Sequence, residues 1–152
     1  KISLSNNAIK DMNIIKKISN TIGSQSVVVT LDYRRNFITK KYNIFTLNGT
    51  KRINYNILNL AQKFESLGAG EILFNSIDRD GTMTGYDVDF AELIRSKINT
   101  QISFIGGAKD ISDMEKLIDS VGIVGAAAGS MFLFKGKFKA VLLSYRKPIR
   151  CN

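Results

Sequence analysis

The stretch Gly68–Thr82 constrains this chain more than any other. Gly-Ala-Gly-Glu-Ile-Leu-Phe-Asn is an apolar strand, and Ser-Ile-Asp-Arg-Asp-Gly-Thr is a tip of carboxylates, guanidinium, glycine and hydroxyl. Helical spacing follows from Asp87 to Lys97. Strand, polar tip and helix make up the repeating unit of an α/β barrel, a fold whose chemistry sits at the tips.

The unit recurs along the chain. Lys1–Leu4 alternates polar and apolar residues, and Ser5-Asn6-Asn7 is a turn or cap. Ile9, Met12, Ile15 and Ile18 then recur at helical spacing, which predicts one helix over 8–18 ending near Asn20–Gly23. Ser26–Asp32 is a continuous apolar run of the kind buried on both faces of a parallel sheet. Residues 33–50 read as a small hairpin inserted in a loop, turning at Asn48-Gly49. A helix is predicted over Ile53–Leu67, a strand at Gln101–Ile105, a helix capped by Asp110 or Ser112, and a last strand over Val121–Ala128. The apolar end, Phe138–Tyr145, is expected to pack along the outside.

Four complete parallel strands and part of a fifth have the period of a (βα)8 barrel and about half its count. The fold predicted is therefore the C-terminal half of a (βα)8 TIM barrel, with residues 1–152 as one partial domain lacking its N-terminal half. A doubly wound open sheet is the alternative. The chain does not begin with Met and opens in a strand, which suggests a processed start or a piece of a longer protein.

Composition narrows the chemistry. The chain of 152 residues is 44% hydrophobic and 23% charged, as expected of a globular domain with its own core. With no His and a single Cys, Cys151, there is no imidazole base, no disulfide framework and no Cys-based metal site. Acid–base work falls to Asp, Glu, Lys or Tyr. No metal or organic cofactor is implied. The net charge of +9 suits anionic substrates as well as nucleic acid, and the Lys and Arg residues are scattered, so no nucleic-acid partner is expected. No apolar run reaches the roughly 18 residues that span a bilayer, and no cleavable signal is visible. The expected location is cytoplasmic.

The strand ends carry Ser5-Asn6, Asp32, Asn75 with Asp78 and Asp80-Gly81, Gly106-Gly107, and Gly129-Ser130. Asp32 and Asp80 are candidates for general acid or base, or for ordering polar substrate groups; the plainer reading has them capping loops or pairing with Arg34 or Arg79. The two glycine turns suit phosphate, held by backbone N–H groups after the last strands. Their plainer reading is that glycine lets strand and helix pack closely.

Six motifs appear in order across essentially the whole chain: Val27–Asp32, Gly68–Leu73, Ser76–Thr82, Gly85-Tyr86-Asp87, Gly106-Gly107-Ala108 and Ala126–Ser130. In them the chain resembles the HisF family, the cyclase subunit of imidazole glycerol phosphate synthase and its relatives. The resemblance places Lys1 in strand four. It implies an ammonia-dependent enzyme whose glutaminase partner (HisH-like) feeds ammonia through the barrel to a phosphorylated or nucleotide-linked substrate. Asp32 matches one of the family's two catalytic aspartates; the other lies on a strand this chain lacks, so the chain alone is expected to be inactive. Asp80 matches a substrate contact, and Gly81, Gly107, Gly129 and Ser130 match phosphate contacts. Ser5 and Asn6 occupy the second phosphate site, where the family usually has Asn-Thr. Lys1 and Glu71 match charged residues of the gate through which ammonia enters.

The tail from Phe134 to Tyr145, and Asn75 before Ser76, are similar to a sister branch that converts an acetamido group on a sugar to an acetamidine in surface-polysaccharide (lipopolysaccharide) synthesis. The alternative within the family is the cyclase of histidine biosynthesis, which forms imidazole glycerol phosphate and AICAR. From another class, the alternative is a non-catalytic half-barrel that docks a partner, because a half-barrel leaves two sheet edges unpaired.

Overall fold

The computed structural model describes residues 1–135 and 140–141. Its main sheet holds five parallel strands, β1 (Ile2–Leu4), β2 (Val27–Arg35), β5 (Glu71–Ser76), β6 (Gln101–Ile105) and β7 (Gly125–Ala127), each paired with the next in that order. A doubly wound sheet reverses strand order at a switch point. These five strands keep chain order throughout, so the sheet is wound in one direction, as in a barrel.

Helices cover one face. α2 (Asn13–Ile22), α3 (Ile57–Ser66), α4 (Val88–Arg95) and α5 (Ile111–Val121) bury Ile15, Leu60, Phe64, Phe90, Ile94 and Leu117 against Val27, Val29, Leu31, Ile72, Phe74, Ile102 and Phe104. Successive strand residues point to opposite faces, so the register places Thr30, Asp32, Leu73, Asn75, Ser103, Ile105 and Ala127 on the other face. Of these only Ser103 is buried, because among the described residues no helix lies over them. The continuous apolar run was expected to be buried on both faces; beyond Val29 it is buried on one.

Several boundaries differ from the sequence expectation. The helix over 8–18 is two, α1 (Asn6–Lys10) and α2, because Asp11 adopts an extended backbone and its Oδ1 accepts the Asn13 N–H at 3.0 Å. α3 starts at Ile57, after Asn56 caps it by accepting from the Leu58 and Asn59 N–H groups. The last strand shrinks to β7, since Val121 ends α5 and Gly122 turns the chain with a φ of 78°. Asp110, rather than Ser112, caps α5.

The hairpin expected over 33–50 forms but extends further: β3 (Tyr42–Thr46) pairs with β4 (Lys51–Ile53), beyond that range and reaching the expected start of the next helix, with Leu47, Asn48 and Gly49 all at positive φ in its turn. It is not free in a loop. β2 runs on to Arg35 and pairs antiparallel with β3, so the hairpin extends the main sheet above β1. A one-turn helix α6 (Ser130–Leu133) follows β7, and β8 (Phe134–Lys135) pairs with β9 (Ala140–Val141). The rest of the expected outer tail lies outside the described residues.

Candidate functional site

Asp32 lies near the C-terminal end of β2 on the uncovered face, opposite Asn75 of β5 in the register. Asn75 Nδ2 donates to Asp32 Oδ1 at 2.9 Å. The carboxylate can only accept, so the amide must turn its nitrogen toward Asp32. Asn75 Oδ1 is left buried without a hydrogen-bond partner. On the other side of β2, Phe45 is the register partner of Asp32, and the Arg34 guanidinium lies 4.8 Å from the centre of its ring.

The β3–β4 turn reaches across the end of β2. Asn6 Oδ1 accepts the Leu47 N–H at 3.1 Å, which ties the turn to the end of β1. At its other side Gly49 approaches Ile77 and Arg34 so closely that a Cβ there would crowd both. Asn6 therefore anchors the hairpin beside its expected place in a phosphate site. Ser5 precedes α1, and its side chain makes no capping hydrogen bond.

The structure brings Gly81 and Ser130 together: a Cβ on Gly81 would lie 4.0 Å from Ser130 Oγ. Asp80 is exposed next to them, its N–H donating to the Ser76 carbonyl at 2.9 Å. Neither Asp32 nor Asp80 forms an ion pair with Arg34 or Arg79 among the described residues.

The two glycine turns divide. Gly106 and Gly107 have φ of 104° and 100°, and a Cβ on either would overlap a carbonyl oxygen, that of Ser76 or of Gly85. The Gly107 carbonyl accepts the Gly85 N–H at 2.7 Å, and the Gly85 carbonyl accepts from Arg79 Nη1 at 3.1 Å. Close packing is thus enough to require glycine there. Gly129 has a negative φ of −119° and open space around its Cβ position.

At the opposite end of the same face, Glu71 receives Lys1 Nζ at 2.7 Å on one oxygen and Ser103 Oγ at 2.6 Å on the other. Partial burial pushes this carboxyl up, but the hydrogen bonds from Lys1 and Ser103 and the lysine charge outweigh it and hold the group below the usual glutamate range. Sequence reasoning missed Ser103. The signal was present in the register, because Ser103 sits diagonal to Glu71 on the neighbouring strand and on its face.

A second cluster missed from sequence fastens the hairpin to α4. Arg35 Nη1 lies 3.0 Å from Asp89 Oδ2 and 3.7 Å from Asp87 Oδ1. Tyr33 and Tyr42 lie 3.9 and 4.6 Å from the Phe90 ring centre. Burial, then the Asp87 charge, pushes the Tyr42 phenol up to about 12. Asp87 caps α4 through the Phe90 N–H and is only 5% exposed; burial raises its pKa, against the pull of Arg79, that N–H and Arg35.

Parallel strands in chain order, helices on one face and polar side chains at both strand ends of the other define part of a βα-barrel. The family model described as "Histidine biosynthesis protein" matches residues 1–139, and the chain belongs to that family, in its HisF group. It is 40% identical over 148 residues to the "Putative imidazole glycerol phosphate synthase subunit hisF3" of Vibrio vulnificus, covering 97% of this chain and 57% of that protein. It is 42% identical over 145 residues to the "Putative imidazole glycerol phosphate synthase subunit HisF" of Leptospira interrogans, covering 95% and 57%. With the "Imidazole glycerol phosphate synthase subunit HisF" of Sulfolobus acidocaldarius it shares 39% over 129 residues, covering 85% and 51%. The chain thus spans little more than half the length of these curated relatives. Among the described residues no helix is long and apolar enough to cross a membrane.

Proposed function

We propose that the chain is the C-terminal half of a (βα)8 barrel in the ammonia-using subunit of a glutamine amidotransferase complex, working in the cytoplasm with a HisH-like glutaminase. The observation that carries this reading is the pairing of Asp32 with Asn75 at one end of the uncovered face and of Glu71 with Lys1 at the other.

Ammonia enters past Glu71 and Lys1 and follows the inner face by Ser103, Leu73 and Thr30 to Asp32. Ammonia exposed to water near neutral pH would be mostly protonated and no longer a nucleophile, so a closed route from the glutaminase preserves it. Asp32 is the general acid–base group at the attacked carbon, and Asn75 holds one of its oxygens in place. Asp80 orients the substrate. Gly81 and Ser130, with Gly107 and Gly129, bind one phosphate, and Ser5 and Asn6 border the other. Gly106 shapes the turn that presents Gly107.

The substrate we favour is a nucleotide-linked N-acetyl sugar. Ammonia adds to its acetamido carbon and the amide oxygen leaves as water, giving an acetamidine for surface polysaccharide. The similarity of the tail and of Asn75 to the sugar-modifying branch supports this choice. Family membership supports the ribonucleotide of histidine biosynthesis as the alternative substrate. Assay of the full-length protein with an ammonium salt and each substrate decides between them. Turnover of the ribonucleotide alone reassigns the branch, and turnover of neither sinks the enzymatic reading.

The bare inner face favours one further reading, a half-barrel that only docks another half. Three βα units upstream of Lys1, with an Asp at the end of the first strand, would rule it out.

A further inference from the structure

Outside the uncovered face, a half-open cavity of about 300 Å³ lies between the β2–β3 turn and the loop after β5. Arg35, Asn36, Phe37, Lys40, Asp78 and Arg79 line it, three cations against one carboxylate. Its size is at the lower end of small-molecule sites.

The walls are built rather than incidental. Asn36 Oδ1 accepts the N–H groups of Ile38 and Thr39, at 3.0 and 2.8 Å. The Asn36 N–H donates to the Lys41 carbonyl at 2.8 Å, and the Asn36 carbonyl accepts the Lys40 N–H at 2.9 Å. The turn is therefore closed by its own hydrogen bonds, and it holds Phe37 86% exposed. On the facing wall, Asp78 accepts from Ser76 Oγ at 3.0 Å and from the Arg35 N–H at 3.3 Å, which fixes that loop to β2.

The donors are left over. Lys40 Nζ lies 4.7 Å from the Phe37 ring centre and has no carboxylate within ion-pair distance among the described residues. Arg79 gives one N–H to the Gly85 carbonyl, and the hydrogen bonds of Asn36 use its side-chain oxygen while its amide nitrogen remains a donor. Guanidinium and ammonium groups of this kind bind phosphate oxygens. Lys40 sits over one face of the Phe37 ring, and the other face of this exposed side chain can stack a base of any identity.

We propose that this cavity is a binding site for a nucleoside phosphate, with the phosphate on Arg79 and Lys40 and the base on Phe37. Its lining includes neither Asp32 nor Asn75, although Arg79 adjoins Asp80 in the loop after β5. Neither Phe37 nor Lys40 belongs to the core or to the catalytic constellation, so replacing them leaves the fold and the Asp32 site in place.

The test is calorimetric titration of the full-length protein with AMP, GMP, CMP and UMP, and with inorganic phosphate as a separate arm. Expected is saturable binding of at least one nucleotide, weakened about fivefold or more by Phe37→Ala, the size of one lost base–aromatic stack. Lys40→Ala should weaken it by a similar factor and flatten its salt dependence. No saturable nucleotide binding overturns the proposal. Nucleotide binding indifferent to both substitutions places the ligand elsewhere and overturns it too. Inorganic phosphate bound as tightly as the nucleotides removes the base from recognition and overturns it as a nucleoside-phosphate site.

Discussion

Asn75 and Asp32 are register partners on neighbouring parallel strands, and the amide of one donates to the carboxylate of the other at 2.9 Å. This leaves Oδ2 of Asp32 out of the pair. One oxygen is anchored, and the group keeps an acceptor to present. Replacing Asp32 with Asn preserves the shape and keeps an oxygen that can accept from Asn75 Nδ2. Asp32→Asn is expected to lose about 10²–10⁴-fold in ammonia-dependent turnover of the full-length protein, as removal of a general acid–base group does. Its melting temperature should stay within a few degrees of wild type. Retained turnover would falsify the role assigned to Asp32.

A positioning role for Asn75, through its hydrogen bond to Asp32, predicts a signature different from that of a substrate contact. Asn75→Ala frees the Asp32 oxygen and should lower kcat by up to about 10²-fold, on the scale of a misplaced catalytic group, with KM little changed. A raised KM at constant kcat would instead make Asn75 a ground-state binding residue.

Glu71 and Asp87 are predicted to respond oppositely to acid. The Glu71 carboxyl lies below its ordinary value, so its contribution to stability is complete above the unfolded glutamate pKa, about 4.3. That contribution disappears as pH falls through the lower folded value. Because Lys1 is 60% exposed, solvent screens the pair, and Glu71→Gln should cost only about 0.5–1 kcal/mol at neutral pH. Urea unfolding at pH 7 and at pH 3 checks this: the difference between wild type and variant should shrink at the lower pH. A gap that is constant with pH would assign the effect to packing.

For Asp87 the sign reverses. Burial raises its folded pKa, so the folded state favours the protonated form, and that advantage is lost as pH rises through the raised value. Asp87→Asn keeps an oxygen to cap α4 through the Phe90 N–H and removes the buried charge. It should unfold within about 1 kcal/mol of wild type at pH 7, whereas Asp87→Ala, which loses the cap, should cost ~1 kcal/mol or more. An Asn variant as unstable as the Ala variant would show that the Arg35 pairing, and not the cap, holds this corner.

Reading the sequence recovered what local chemistry dictates. Apolar runs such as Val27–Leu31 formed strands, Asn48-Gly49 turned a hairpin, and Asp110 capped a helix. Helical spacing alone did not reveal the break at Asp11, because the Asx turn there interrupts the backbone while the apolar spacing continues past it. Nor did the apolar run show which face is bare. Thr30 and Asp32 supply the alternation, and their lack of cover follows from the layer above them. The Arg35–Asp87–Asp89 corner and Ser103 were illegible for a related reason. Their partners are separated by 32 to 54 residues, and only the strand order brings them together.

The glycine turns were assigned one role from sequence, and their geometry predicts two. An alanine at Gly107 would need a φ near 100° and would drive its Cβ into the Gly85 carbonyl, which is backbone and cannot swing aside. Gly107→Ala should therefore cost at least ~2 kcal/mol in urea unfolding, whatever binds nearby. Gly129 has a φ that any residue adopts and nothing within 4 Å of its Cβ position, so Gly129→Ala should change stability by no more than ~0.5 kcal/mol. If Gly129 is glycine so that a phosphate can approach the backbone, the same variant should weaken binding of a phosphorylated substrate about tenfold, the effect of losing one charge-assisted hydrogen bond. Calorimetric titration of the variant, compared with its unchanged melting curve, separates the two. A Gly129→Ala protein as stable as wild type and with undiminished affinity would remove Gly129 from the phosphate site, leaving Gly81 and Ser130 as its core.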